Sequence, residues 1–108
     1  MKMILAIINQ DDANMVVNGL MKEGYSVTKL STTGGFLRAG NTTILVGVDD
    51  EKVQKVMNII HKHSHSRRQV VPTGNDIGTA GMSPSMPMEV TIGGATVFVL
   101  NVDQFQRL

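Results

Sequence analysis

Glycines, small polar side chains and one phenylalanine are concentrated in the run TKLSTTGGFLRAGNTTILVG, residues 28–47. Gly34, Gly35 and Gly40 permit backbone angles that other residues avoid, and they let a ligand approach the main chain closely. Main-chain N–H groups in such a turn bind phosphate oxygens, while an aromatic ring such as Phe36 stacks on a base. Asn41 adds an amide that can read a base edge. This chemistry predicts a nucleotide pocket.

The same glycines also suit an ordinary β-hairpin turn, and that interpretation remains open on composition alone. The run lacks the GxxxxGK[ST] spacing of a phosphate-binding loop, so nucleoside triphosphate hydrolysis is not indicated.

Three alternating histidines, His61, His63 and His65, are the candidate metal ligands. His61 and His65 have the spacing of ligands on one helical face, but no carboxylate or cysteine joins them nearby. We interpret them as a solvated helix end whose cations suit the helix dipole. No metal site is predicted.

Catalytic groups are scarce in this chain. Residues 11–12 and 49–50 are pairs of aspartates. Both pairs lie where helices need caps, so a role in acid/base catalysis is not needed to explain them. The chain has no cysteine and no serine in a nucleophile elbow. We therefore expect a binding protein that is not an enzyme and needs no cofactor.

The length and net charge of the chain further limit the class of protein and the kinds of partner that we expect. The 108 residues make one domain, and ten Lys and Arg against nine Asp and Glu give a net charge of +1. No broad basic field favours a nucleic acid polymer or a membrane surface as partner. The apolar residues 3–8 are too few to span a bilayer, and the lack of cysteine favours a cytoplasmic location.

Hydrophobic periodicity predicts the first half of the fold. Residues 3–8 form a strand, Asp11 or Asp12 caps a helix that Gly24 ends, and residues 25–32 and 42–48 form two more strands. The buried face of this helix is predicted from apolar spacing as Ala13, Val16, Val17, Leu20 and Met21.

The second half begins with a helix capped by Asp49 or Asp50, followed by a short strand at residues 69–71. A Gly-, Ser-, Met- and Pro-rich stretch predicts a long flexible loop at about residues 72–88. Residues 89–102 return to strand composition, which Gly93 and Gly94 split by a bulge or hairpin. The element order predicts an α+β, ferredoxin-like β-α-β-β-α-β sandwich spanning residues 1–108.

Both faces of the first strand are apolar, although two helices can cover only one face of the sheet. One face carries Ile4, Ala6 and Ile8, and the other carries Met3, Leu5 and Ile7. An uncovered apolar sheet face predicts an oligomer.

The run VTKLSTTGGFLRAGNTTILVGV, together with GGATVFVL and VDQF, resembles the cyclic di-AMP receptors of the PII-like signal-transduction family of Gram-positive bacteria. The likeness covers nearly the whole chain. It implies a ferredoxin-like homotrimer that binds the dinucleotide in clefts between subunits and signals to a downstream protein.

The resemblance also implies a set of ligand contacts. Thr28 and Asn41 would hydrogen-bond the ligand, and Gly47 would leave room for the base or offer main-chain contacts. The adenine site would be lined by Gly35, Phe36 and Leu37.

Some positions depart from the family pattern. Ser26 replaces a usual arginine, Gly24 replaces an asparagine, and residues 83–88 read SPSMPM in place of a tyrosine- and proline-rich segment. Arg107 stands where the family has glutamine. Because Ser26 has no charge to offer a phosphate, Arg107 or Arg38 is the candidate for that role. The alternative function is a trimeric PII-like interaction module with a different nucleotide or a vestigial pocket.

Overall fold

A computed structural model of the chain describes residues 1–30, 40–71 and 88–108, and these form two helices and antiparallel strands. The elements are β1 (Lys2–Asn9), α1 (Gln10–Lys22), β2 (Val27–Leu30), β3 (Asn41–Val48), a 3₁₀ turn (Asp50–Lys52), α2 (Val53–Ser64), β4 (Arg67–Val71), β5 (Met88–Ile92) and β6 (Ala95–Asn101). The predicted α+β class is confirmed.

Four strands make the main sheet, in the order β2-β3-β1-β6. Central β1 pairs antiparallel with β3, from Lys2 opposite Val48 to Asn9 opposite Asn41. It also pairs antiparallel with β6, and β2 pairs antiparallel with β3. This arrangement is compatible with the predicted ferredoxin-like sandwich.

A second, two-stranded sheet follows α2, in which β4 pairs antiparallel with β5. We call it the ribbon. The predicted short strand at residues 69–71 is part of β4, and the glycine pair does separate β5 from β6. The predicted flexible loop at about 72–88 stays a prediction, and Met88 at its end pairs with Val71 in the ribbon. Residues 72–87 lie outside the described part of the chain.

Helix α1 begins and ends with local hydrogen bonds. The cap is Asn9, whose side chain accepts a hydrogen bond of 2.9 Å from the N–H of Asp11, so the prediction of Asp11 or Asp12 as the cap was wrong. Both aspartates instead occupy the first turn, where negative charge suits the dipole. As predicted, Gly24 follows the helix end; it has a φ of +90° and donates to the carbonyl of Met21.

The start of the second helical segment agrees with the prediction in the position of the cap but not in its hydrogen bond. Asp49 is at the N-cap of the 3₁₀ turn, but its side chain accepts no capping hydrogen bond. Asp50 lies 3.0 Å from the N-terminal ammonium, and the hydrogen bond from that ammonium lowers the pKa of Asp50. The carboxylate of Asp50 therefore joins the turn to the start of β1.

The core lies between the two helices and one face of the sheet. Its fully or nearly fully buried members are Ile4, Ala6, Ile8, Val16, Leu20, Ile44, Val46, Val48, Val56 and Ile60. The predicted face of α1 is correct for Ala13, Val16 and Leu20 but wrong for Met21, which is 59% exposed. The buried stripe steps by three and four residues, and Met21 is one position past it.

The opposite face of the sheet, which we call the open face, is apolar, and the described helices and strands of one chain leave it uncovered. Met3, Leu5 and Ile7 of β1 are only partly buried. On β6, Phe98 is 50% exposed and Leu100 is 48% exposed, and they lie opposite Leu5 and Met3. The expectation that both faces of the sheet are apolar is confirmed, while the oligomer that would cover the open face stays a prediction.

Val46→Ala tests which face carries the subunit core. Val46 is fully buried, so we expect the free energy of unfolding to fall by about 2 kcal/mol through reduced apolar burial and a residual cavity. Val70→Ala on the ribbon is the matched control, because Val70 is 61% exposed and should cost less than about 0.5 kcal/mol. Equal losses in denaturant unfolding would contradict this placement of the core.

Candidate functional site

The open face carries three of the predicted ligand-binding residues. Side chains alternate along a strand, so Asn41 and Gly47 of β3 share the face of Leu45. Thr28 of β2 lies directly opposite Leu45 and therefore points to the same side. All three are exposed. Their common face follows from strand parity and not from proximity in sequence.

Within one subunit these residues fall into two separate patches. Thr28 is a diagonal neighbour of Gly47, with Cα atoms roughly 7–8 Å apart by sheet geometry. Asn41 lies six residues before Gly47 on the same strand, which places it roughly 20 Å away. One small pocket in one subunit therefore cannot contain all three.

Asn41 lines a cleft of about 370 Å³ at the end of the sheet where β1 stops and β3 and β6 begin. The other lining residues are Ile7, Gly93, Gly94, Ala95 and Thr96. Gly93 and Gly94 have φ angles of +78° and +88°, a conformation that only glycine adopts readily. Small residues and free backbone thus form one wall of the cleft, and Asn41 supplies an amide from the other.

The site expected from sequence omits the residues of this second wall. From the sequence pattern, Gly93 and Gly94 are predicted only to interrupt a strand, and Thr96 is not singled out. The glycine pair inside a strand-like run is the available signal, since such a pair can mark a close backbone approach by a ligand.

Gly47 belongs to the other patch, and the backbone conformation at this position does not need a glycine. Its φ is outside the positive region, and an added Cβ would meet only the Met1 side chain, 3.6 Å away at Cε. That is an ordinary van der Waals contact. What the glycine provides is free space above the sheet on the open face.

A family of known proteins matches the whole chain. The sequence model described as "Cyclic-di-AMP receptor" covers residues 1–108. The chain belongs to the cyclic-di-AMP receptor family. The resemblance drawn from residues 27–48 and from the runs GGATVFVL and VDQF is thereby confirmed, and the family description supports a nucleotide-binding, signalling role.

A solved structure is also similar to this member of the cyclic-di-AMP receptor family. It is described as the crystal structure of a functionally unknown protein from Pediococcus pentosaceus ATCC 25745. The two chains share 41% sequence identity, and the match covers 99% of this chain and 96% of that one with a TM-score of 0.77. The α+β fold is therefore found in an independently determined structure.

The other predicted ligand contacts are Gly35, Phe36, Leu37, Arg38 and Arg107. Gly35, Phe36, Leu37 and Arg38 lie outside the described residues, in the connection between β2 and Gly40. Arg107 is exposed in the segment after β6 and does not line the Asn41 cleft. The roles of all five residues stay predictions.

The histidines sit at the C-terminal end of α2, as expected. The rings of His61 and His65 have centroids 5.8 Å apart, and the described residues contain no cluster of three His, Cys, Asp or Glu side chains arranged to hold a metal.

In the described segments, neither helix is long and apolar enough to cross a bilayer.

Gly47→Ala tests whether this glycine serves the open face or the backbone. We expect the fold to be kept and the unfolding free energy to rise by about 0.5 kcal/mol or more, because alanine in a strand loses less entropy on folding. Gly24→Ala is the control with the opposite sign: its φ of +90° should make the same change cost about 1 kcal/mol. Equal destabilisation in denaturant titrations would show that Gly47 is needed by the backbone of the subunit.

Proposed function

We propose that this protein is a non-enzymatic receptor that binds cyclic di-AMP on the open face of its sheet, in a cleft completed by a neighbouring copy of a homotrimer. One observation carries the proposal: Thr28, Asn41 and Gly47, which the family resemblance assigns to the ligand, all lie on the apolar face that the helices leave uncovered.

The distance between the two patches supports a site shared between copies. Along β3, Asn41 lies about 20 Å from Gly47 and about 14 Å from the position opposite Thr28, so neither patch alone surrounds a dinucleotide. A second copy packed on the open face would set its own patch beside one of them. Head-to-tail contacts of this kind close into rings when the rotation permits, as in a trimer.

The apolar side chains of the open face supply the driving force for assembly. Phe98 and Leu100 are about half exposed in one subunit, and Leu5 lies beside them at the centre of the sheet. Removing such side chains from water is favourable by about 25 cal/mol per Å² of apolar surface. The same contact would exclude water around the polar groups of the ligand and so strengthen their hydrogen bonds.

Each polar group has chemistry that suits one part of cyclic di-AMP. The Thr28 hydroxyl can donate to a phosphate oxygen, and the Asn41 amide can both donate to and accept from the adenine edge. Phe36 would stack on adenine, and Arg38 or Arg107 would pair with phosphate. The signal to a downstream protein would pass through the connection at about residues 72–88, of which only Met88 is described.

Calorimetry with a nucleotide panel tests the proposed ligand. We expect heat from cyclic di-AMP with one molecule bound per subunit, and much weaker binding of cyclic di-GMP, AMP and ATP. The adenine edge contacts and the two phosphates together set this preference. Absence of heat with cyclic di-AMP at high micromolar concentration would refute the proposed function.

Two substitutions test the two patches separately. Thr28→Ala removes a hydrogen bond to a charged phosphate, and Asn41→Ala removes the amide at the cleft, so each should weaken cyclic di-AMP binding by roughly 1–3 kcal/mol. The controls Thr91→Ala and Asn58→Ala alter exposed residues of β5 and α2 and should bind as the wild type does. If either site variant binds as tightly as its control, the corresponding patch is not part of the site.

A further inference from the structure

The ribbon is attached to the rest of the subunit through its base. Among the described residues, β4 and β5 pair only with each other, from Arg67 opposite Ile92 to Val71 opposite Met88. Its base follows α2 on one side and leads through Gly93 and Gly94 into β6 on the other. Whatever fixes the base of the ribbon therefore also fixes the glycine turn that lines the Asn41 cleft.

An ion pair between Asp12 and Arg67 lies at this base. The Arg67 guanidinium donates to both carboxylate oxygens of Asp12, from Nη2 to Oδ1 at 2.9 Å and from Nη1 to Oδ2 at 3.2 Å. Nη1 also donates to the carbonyl of His65 at 3.2 Å. The Asp12 side chain is only 8% exposed. This bidentate contact joins the first turn of α1 to the first residue of β4 in a defined orientation.

The guanidinium of Arg67 stays charged in this setting. The hydrogen bonds with Asp12 raise the pKa of Arg67 above its already high usual value, while partial burial opposes this shift and the charges of Asp12 and Asp11 assist it. The contact is therefore a charged pair at any pH at which Asp12 is ionised.

Gly93 packs directly on this ion pair. An added Cβ at Gly93 would lie 2.5 Å from Nη1 of Arg67, 2.9 Å from the His65 carbonyl oxygen and 3.3 Å from Oδ2 of Asp12. The N–H of the next residue, Gly94, donates to the carbonyl of Ser64. The glycine turn thus contacts Arg67 through Gly93 and is hydrogen-bonded to the end of α2 through Gly94.

We propose that Asp12 and Arg67 are positioning residues for the ligand site, because their ion pair holds the Gly93–Gly94 turn at the distance from Asn41 that the ligand requires. Neither side chain lines the cleft itself. This inference rests on the proposed function. It assigns to the ion pair a role beyond stability, since a site whose supporting contacts are loosened by an ångström binds its ligand poorly.

Arg67→Met and Arg67→Lys test this role, with Arg68→Met as the matched control. Arg68 is the next residue along β4 and pairs with Glu89 at 3.4 Å, but both side chains are well exposed on the ribbon. Two readouts are combined: the amide resonances of Gly93, Gly94 and Gly47 in heteronuclear NMR spectra, and calorimetry with cyclic di-AMP.

For Arg67→Met we expect the Gly93 and Gly94 resonances to shift while Gly47 does not, and cyclic di-AMP to bind about tenfold more weakly. Arg67→Lys keeps the positive charge but cannot make the bidentate contact of a guanidinium. It should therefore give smaller shifts than Arg67→Met and recover part of the affinity. Arg68→Met should leave both readouts as in the wild type. If Arg67→Met does not fold, Arg67→Lys against Arg68→Met carries the comparison.

Each contrary result has a distinct meaning. Unshifted Gly93 and Gly94 resonances in the Arg67 variants would show that the ion pair does not hold the turn. Shifted resonances with unchanged affinity would make the pair a purely structural contact and overturn its positioning role, while the proposed function stands. A wild type that gives no heat with cyclic di-AMP would refute the proposed function and the ligand part of this inference, whereas the resonances would still test the contact.

Discussion

The described residues form a sheet with two apolar faces and two helices that cover one of them, and the other features of this structure depend on that imbalance. Ile4, Ala6 and Ile8 are fully buried under the helices. Their neighbours Met3, Leu5 and Ile7 remain only partly covered. A strand at the centre of a sheet cannot present apolar side chains on both sides at low cost unless both sides are covered. The residues proposed to bind the ligand therefore lie on the side where we propose that another subunit packs.

The sequence predicted those parts of the fold that depend on local pattern. Alternation along residues 3–8 identified both faces of β1, and Gly24 marked the end of α1. The cap at Asn9 was missed because two aspartates closely follow it and have the same preference for cap positions. The ion pair between Asp12 and Arg67 could not be predicted, because 55 residues separate the partners and only the folded chain brings them together.

The candidate site was predicted only in part, because some of its residues belong to a local motif and others come from a distant segment. Thr28, Asn41 and Gly47 were chosen from a family motif, and strand register then places all three on one face. The wall formed by Gly93 and Gly94 comes from a distant segment, and its position depends on β6 pairing with β1. Sequence alone identified the glycines but provided no reason to bring them to Asn41. The glycines also differ in role: Gly47 leaves open space, whereas Gly93 makes room for the Arg67 guanidinium.

Native mass spectrometry in the presence of cyclic di-AMP tests most directly whether the ligand site needs a neighbouring subunit. The chain has a mass of 11.7 kDa. We predict a species of three chains that carries up to three cyclic di-AMP molecules, with no ligand on single chains. A single chain that retains cyclic di-AMP at the same affinity as the assembly would contradict a site shared between subunits.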